Sequence, residues 1–208
     1  MEALHGHQLH ASIATLDPLA YPGSAVGGLS DHVYGGGRPF SLLAHSDFHV
    51  HKMSYQPDYP LGVFNHSLVG VPAGSLSAAE LLSALRAGRS YAAQGHWLNL
   101  SAFHLGHTHV GQVWNGGQTS GQIALEASEP LKQVELIGSL RAGAASAVLR
   151  EFGPLEAGAH ALEFEVPAEA RGFIRLRITA ASQRRPNPGC DGTKLFQTSA
   201  ILLASQHT

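Results

Sequence analysis

The sequence has little of several residue types, and each shortage excludes a class of protein. It contains a single cysteine, Cys190, so no disulfide can form within the chain. Charged residues make up 13% of the chain, about half of the usual ~25%, and the formal net charge is −2. Lysine and arginine do not cluster, so we expect neither nucleic-acid binding nor electrostatic attachment to a membrane.

Long apolar runs are also missing. No stretch approaches the roughly 20 apolar residues that a membrane-spanning helix needs. The first residues show no basic region followed by an apolar core, so no signal peptide is expected and the chain is predicted to be cytoplasmic. At 208 residues, of which 44% are hydrophobic, the sequence fits one large or two small globular domains.

Short apolar runs, separated by Gly, Pro, Asn or Ser, fill the second half of the sequence. In 162–166 and 174–178 apolar and charged residues alternate strictly, which is typical of half-buried strands. Their Glu and Arg side chains are expected on a solvated face, with possible cross-strand pairs. So many short strands favour an antiparallel β-sandwich. The seven predicted strands are 97–104, 122–127, 133–138, 145–152, 160–166, 173–180 and 196–204.

The clearest helix is predicted over 77–86. Ser77 and Glu80 form a Ser-x-x-Glu capping box at its start, and Gly88 is the signal that ends it. Three leucines share one stripe of this helix and are expected to pack on the sheet. They are Leu81, Leu82 and Leu85.

A candidate metal site follows a short apolar strand predicted over 38–44. Asp47 and His49 lie in Ser-Asp-x-His, and alternate side chains of an extended chain share a face. A carboxylate and an imidazole on one face are a natural pair of metal ligands. His45 and His51 continue the same alternation. Because the chain has 14 histidines, a chance cluster is the alternative interpretation.

Other histidines are weaker candidates for a site. His5 and His7 form His-x-His near the start of the sequence, where a solvated terminus is the favoured interpretation. His66 is expected to be a polar residue of a long loop over 50–74. A second cluster is interpreted as a loop rim rather than a metal site. It consists of His96, His104, His107 and His109.

The order of these segments resembles a known family. An apolar strand runs into Ser46-Asp47-x-His49, residues 77–91 read Ser-x-x-Glu-Leu-Leu-x-Ala-Leu-Arg-x-Gly-Arg-x-Tyr, and a β-rich tail follows. This order is similar to the C-terminal part of the carbaryl-hydrolase-like (CehA/McbA) branch of the PHP-domain metallohydrolases. The resemblance covers residues 38–204, and the stretch 84–91 is its most specific piece.

This resemblance implies a fold, a cofactor and a chemistry. The fold is α/β plus β, with a partial PHP (α/β-barrel) metal-binding segment over 1–95 and an antiparallel β-sandwich-like domain over 96–208. Asp47 and His49 would hold a divalent metal (Zn, Mn or Fe). The implied reaction is hydrolysis of a phosphoester, carbamate or ester bond in a small-molecule substrate. Arg89 would contact an anionic substrate group, with His66 as a second candidate, although a role beside the helix dipole is more ordinary for Arg89.

The resemblance also implies a partner. Only about forty residues precede Asp47, which is too few for the family's other ligands on separate barrel strands. The chain therefore resembles a truncated or split C-terminal piece. We expect a homo-oligomer, or a partner chain that completes the barrel.

A different class of function is the alternative. The chain would then be a non-catalytic β-sandwich module that binds sugar or protein, with a vestigial PHP segment. Trp97 and Trp114 would be its stacking residues, although core packing is the commoner use of tryptophan.

Overall fold

The computed structural model describes residues 2–4, 25–44, 65–71, 74, 76–183 and 193–204. Over these residues the chain is mostly antiparallel β-structure with two short helices, α1 (Leu29–Gly35) and α2 (Ala78–Arg86). Neither of these described helices is long and apolar enough to cross a membrane. The strands are β1 (Glu2–Leu4), β2 (Leu43–Ala44), β3 (Asn65–Val69), β4 (Ser90–Gln94), β5 (Leu98–Leu105), β6 (Thr108–His109), β7 (Val113–Trp114), β8 (Ser120–Ala127), β9 (Leu131–Ser139), β10 (Ala147–Phe152), β11 (Gly158–Glu165), β12 (Gly172–Gln183), β13 (Thr193–Thr198) and β14 (Ile201–Leu203).

Two sheets carry most of the described chain. The larger sheet has eight strands, six of them in the order β10-β9-β12-β13-β4-β3. β14 continues beside β12 where β13 stops, and β7 pairs with β14 in parallel. β13 and β14 therefore form one strand position, interrupted at Ser199 and Ala200. The smaller sheet has the order β11-β8-β5-β6.

The two sheets pack against each other around the main core. Their inner faces contribute the large buried side chains Phe103, Ile123, Phe164, Leu136, Ile174, Leu176 and Phe196. The predicted antiparallel, sandwich-like β-structure is thus confirmed for the described residues. No barrel of parallel strands is found among them. The predicted division at residue 95 stays a prediction, while β3 and β4 on its N-terminal side are hydrogen-bonded into the sheet that contains β13.

Segment 25–44 covers the outer face of the larger sheet. Tyr34 of α1 is 1% exposed and stacks on Phe40, with ring centroids 4.2 Å apart. Leu42 and Ala44 pack with Ala92 and with residues of β12 to β14 in a second core cluster. Burial raises the pKa of the Tyr34 phenol above its usual value, since the ionised form would lose its hydration. The central strands β12 and β13 of the larger sheet are therefore buried on both faces.

This covering overturns one expectation about β12. The alternation predicts Arg175 on a solvated face, but it is 0% exposed, and its Nε donates to Asp31 Oδ1 at 2.7 Å. Arg177 is 7% exposed and pairs with Glu135, its cross-strand neighbour on β9. The Arg177–Glu135 pair agrees with the predicted cross-strand pairing. The burial of Arg175 does not agree with the prediction, because its partner Asp31 lies 144 residues earlier in the chain and the local alternation cannot indicate it.

Six of the seven strands predicted over the second half of the chain coincide with single strands, β5 and β8 to β12. The run predicted over 196–204 is split into β13 and β14, and the sequence does not predict the short strands β4, β6 and β7. The strand predicted over 38–44 contracts to β2. Contacts between segments distant in sequence accompany these differences: Ser90 Oγ donates to the Leu42 carbonyl and lies 2.9 Å from Ser199 Oγ.

Helix α2 begins and ends as predicted, but it packs differently. Ser77 Oγ accepts from the Glu80 amide at 3.2 Å, and the Ser77 amide donates to Glu80 Oε2 at 3.1 Å, which completes the capping box. The buried residue of the helix is Ala84, whereas Leu82 is 50% exposed. A small side chain at the contact lets the helix lie close to its neighbours, and this rotates the leucine stripe partly toward solvent.

Replacing Gly121 with alanine should destabilise the sandwich. Gly121 pairs with Phe164 across β8 and β11, and a Cβ on Gly121 would overlap the Phe164 ring. We expect the free energy of unfolding, measured by urea denaturation, to fall by about 1–3 kcal/mol because the core is overpacked. Gly153→Ala is the matched control, since a Cβ at Gly153 meets open space. Equal stability of the two variants would contradict this packing.

Removing the Asp31 carboxylate should lower the free energy of unfolding by more than removing an exposed carboxylate. Asp31→Ala leaves the Arg175 guanidinium buried without its counter-charge, so we expect a loss of about 3–5 kcal/mol in the free energy of unfolding. Glu165→Ala, on the exposed face of β11, should change it by less than about 0.5 kcal/mol. The double variant Asp31→Leu with Arg175→Met should recover a large part of the loss. If Asp31→Ala unfolds like Glu165→Ala, the ion pair does not hold α1 on the sheet.

Candidate functional site

The first candidate site lies at the edge where β1 and β2 end. These strands pair in parallel, with Glu2 opposite Leu43 and Leu4 opposite Ala44. Helix α1 lies in the connection between them, as is usual for parallel neighbours. Because both strands run in the same direction, the chain leaves both at the same edge.

Side-chain hydrogen bonds fix β2 against the larger sheet. Ser90 Oγ donates to the Leu42 carbonyl at 2.9 Å, and the Leu42 amide donates to Ser199 Oγ at 2.9 Å. At the end of the strand, Ser67 Oγ accepts from the Ala44 amide at 2.8 Å and donates to the Ala44 carbonyl at 3.1 Å. The last residue of β2 is thus held on both its backbone groups by a single hydroxyl.

All six predicted metal ligands lie outside the described residues. They are His5, His7, His45, Asp47, His49 and His51. In the sequence, His5 directly follows β1 and His45 directly follows β2. Their role as ligands stays a prediction. Within the described ranges, no group of three or more His, Cys, Asp or Glu could hold a metal ion.

His66 belongs to a strand, not to a loop. It lies in β3, where its backbone pairs with Ala93. It is also the neighbour of Ser67, the residue that holds the end of β2. Its backbone is therefore close to the candidate edge, and its predicted role toward a substrate stays a prediction.

The second histidine cluster has only two members in contact within the described part of the chain. His104 of β5 and His109 of β6 are cross-strand partners, with ring centroids 5.5 Å apart. His104 Nδ1 lies 2.8 Å from the Gly106 carbonyl, and both His96 and His107 are exposed. His104 and His109 are thus strand residues of the β5–β6 hairpin, and the interpretation of the cluster as a loop rim stays a prediction.

Both tryptophans belong to the core. Trp97 and Trp114 are 5% and 2% exposed. Their indole N–H groups donate to the carbonyls of Gln94 at 2.7 Å and Gln118 at 3.2 Å. A ring used for stacking on a ligand must be accessible, so the stacking role considered for these residues is wrong.

A cleft of about 150 Å³ opens between the start of β4 and the β5–β6 hairpin. The polar side chains of its lining are Arg89, Tyr91, Ser101 and His109, and the apolar ones are Leu100, Ala102, Phe103 and Val110. The sequence singles out Arg89 but not the cleft. Its lining comes from separate segments that only the folded sheets bring together.

Glycine geometry builds the corner that carries Arg89. Gly88 has φ of 75°, ends α2, and donates its amide to the Leu85 carbonyl at 3.1 Å. Gly111 packs so closely on this corner that a Cβ would collide with the Ala87 carbonyl. The Arg89 carbonyl accepts from the Gly70 amide at 2.9 Å. The backbone on either side of the cleft is thus fixed.

Arg89 differs in its partners from Arg175 and Arg177. Its Nε is buried and has no hydrogen-bond partner within the described part of the chain. Tyr91 lies beside it, and burial raises the pKa of the Tyr91 phenol above its usual value. At neutral pH the cleft therefore presents a guanidinium and a neutral hydroxyl.

Comparisons with family models, with curated proteins and with solved structures found no match. The resemblance to the PHP-domain metallohydrolases therefore rests on the residues of the sequence alone.

Proposed function

We propose that the chain is a metal-dependent hydrolase of the PHP superfamily, in the form of a truncated or split C-terminal piece. Its substrate would be a small molecule with a phosphoester, carbamate or ester bond. The observation that carries this proposal is the parallel pairing of β1 with β2.

The pairing supports a joint ligand set from two segments that are far apart in the sequence. In the sequence, His5-Gly6-His7 follows β1 and His45-Ser46-Asp47-Phe48-His49 follows β2. In extended chain, alternate residues share a face, so each segment can offer two or three side chains in one direction. Imidazole and carboxylate groups of this kind suit Zn, Mn or Fe.

The proposed mechanism assigns distinct tasks to the chain's residues. When bound, a divalent metal supplies Lewis-acid polarisation of a phosphoryl or acyl oxygen and a more acidic water. Asp47 and His49 would hold it, with further imidazoles from His5, His7, His45 or His51. Ser67 holds Ala44, the end of β2, by both backbone groups, and would thereby support the ligand segment that follows in the sequence. Such support outside the ligand set keeps ligands oriented in metal sites.

Metal content should depend on the Ser-Asp-x-His segment. We expect the purified wild-type chain to carry stoichiometric Zn, Mn or Fe in inductively coupled plasma mass spectrometry. The variant Asp47→Ala/His49→Ala should lose it, since each ligand contributes a coordinate bond and the remaining set is too small. Hydrolysis of a panel of phosphoesters, carbamates and esters should fall with the metal.

The matched control removes a histidine and a carboxylate elsewhere. His160→Ala/Glu163→Ala removes an imidazole and a carboxylate on β11 and should leave the metal content unchanged. The variant His5→Ala/His7→Ala tests the pairing itself and should weaken metal affinity by more than the roughly 10–100-fold lost when an outer-shell partner is removed. Wild-type protein without metal, or metal that survives Asp47→Ala/His49→Ala, would refute the proposal.

We also expect the protein to form an oligomer or to bind a partner chain. The two-stranded sheet of β1 and β2 leaves open strand edges within the described residues, and such edges recruit further strands. We expect light scattering after size-exclusion chromatography to give a mass above the 21.9 kDa of one chain, either alone or with a co-purified partner. A clean monomer that binds metal and hydrolyses substrate would show that no second chain is needed.

A further inference from the structure

We propose that the cleft beside Arg89 binds a small organic carboxylate that has an apolar part. This site is separate from the proposed metal edge, and the inference goes beyond the proposed hydrolase function. It rests on the charge, the lining and the geometry of the cleft.

The Nε of Arg89 lacks the kind of acceptor that two other arginines have. Arg175 pairs with Asp31 and Arg177 pairs with Glu135, each at 2.7 Å. Arg89 Nε is buried without an acceptor in the described part of the chain. A buried donor without a partner costs free energy, and a ligand that brings the acceptor recovers it once the Arg89 side chain turns Nε toward the cleft. The planar guanidinium matches a carboxylate through two parallel hydrogen bonds.

The rest of the lining favours an anion over a cation. Among the described residues, no Asp or Glu lines the cleft, whereas Arg89 and His109 do. Ser101 already donates its hydroxyl to the Ala124 carbonyl at 3.0 Å. The Tyr91 phenol stays protonated at neutral pH and can serve as a second donor.

The size and apolar lining select a small molecule. The volume of about 150 Å³ is below the roughly 300–1,000 Å³ of sites for drug-sized ligands, so a fragment-sized molecule fits. Tyr91 and Ala102 line the cleft and are only half-buried, so they offer accessible apolar surface to a ligand. An inorganic anion would leave that surface uncovered.

The cleft and the metal edge lie on opposite faces of β4. Ser90 bonds to Leu42, and Ala92 packs with Ala44, on the outer face where β2 lies. Side chains alternate along a strand, so Tyr91 points to the other face, where it lines the cleft together with Arg89. The two proposals therefore rest on different residues, and either can fail without the other.

Benzoate is a suitable probe, because it combines a planar carboxylate with an apolar ring. We expect saturable binding of benzoate to the full chain by ¹H–¹⁵N NMR titration, with a Kd on the order of 1–10 mM for so small a ligand. Benzamide, which has the same shape without the charge, should bind at least about tenfold more weakly. Inorganic phosphate should not compete with benzoate, and competition with equal affinity would overturn the assignment to an apolar carboxylate.

Variants separate the cleft from general charge effects. Arg89→Met should weaken benzoate binding about tenfold or more, while Arg86→Met, an exposed arginine at the end of α2, should not change it. Gly70→Leu keeps Arg89 but fills the cleft, and it should also abolish binding; a Cβ at Gly70 has room, since its nearest neighbours lie 3.9 Å away. Either of two results would overturn the proposal: the wild type does not bind benzoate, or binding survives both Arg89→Met and Gly70→Leu.

Discussion

The buried ion pair between Arg175 and Asp31 is the interaction on which much of the arrangement depends. A guanidinium on the central strand β12 cannot stay buried without a carboxylate, and α1 supplies it. Docking of α1 brings the following residues, 40–44, across the outer face of the larger sheet. Ser90 and Ser199 then bind Leu42, and β2 starts from a fixed position. The edge proposed to hold a metal is thus set by a contact far from it.

Local patterns in the sequence predict most of the β-structure. The alternation in 162–166 and 174–178 has a period of two because one face packs on the core. The Ser77–Glu80 capping box is equally local. The burial of Arg175 follows from no local pattern, since alternation tells which side chains share a face but not what covers that face. The interruption between β13 and β14 at Ser199 is not predicted for the same reason, because the Ser199 hydroxyl bonds to residues distant in sequence.

The two candidate sites differ in how far the sequence predicts them. The Ser-Asp-x-His segment is contiguous, so its residue types and spacing are enough to indicate metal ligation. The cleft is assembled from β4, β5 and β6, and its decisive feature is an acceptor that Arg89 Nε lacks among the described residues. A sequence does not show which side-chain atom lacks a hydrogen-bond partner. It does indicate the turn at Gly88-Arg89, because glycine is the residue that most readily adopts the positive φ found at Gly88.

The position of β13 has a consequence for how the protein forms. β3 and β4 join the larger sheet through β13, although about a hundred residues separate β4 from β13 in the chain. At synthesis rates of roughly 5–20 residues per second, β4 waits on the order of 5–20 s on the ribosome for its neighbour. The outer cluster under segment 25–44 also needs Leu195 and Leu202. Segment 25–44 is synthesised early but completes its packing only after β13 and β14 have been made. A ligand at the edge of β1 and β2 would therefore bind after translation has passed residue 204.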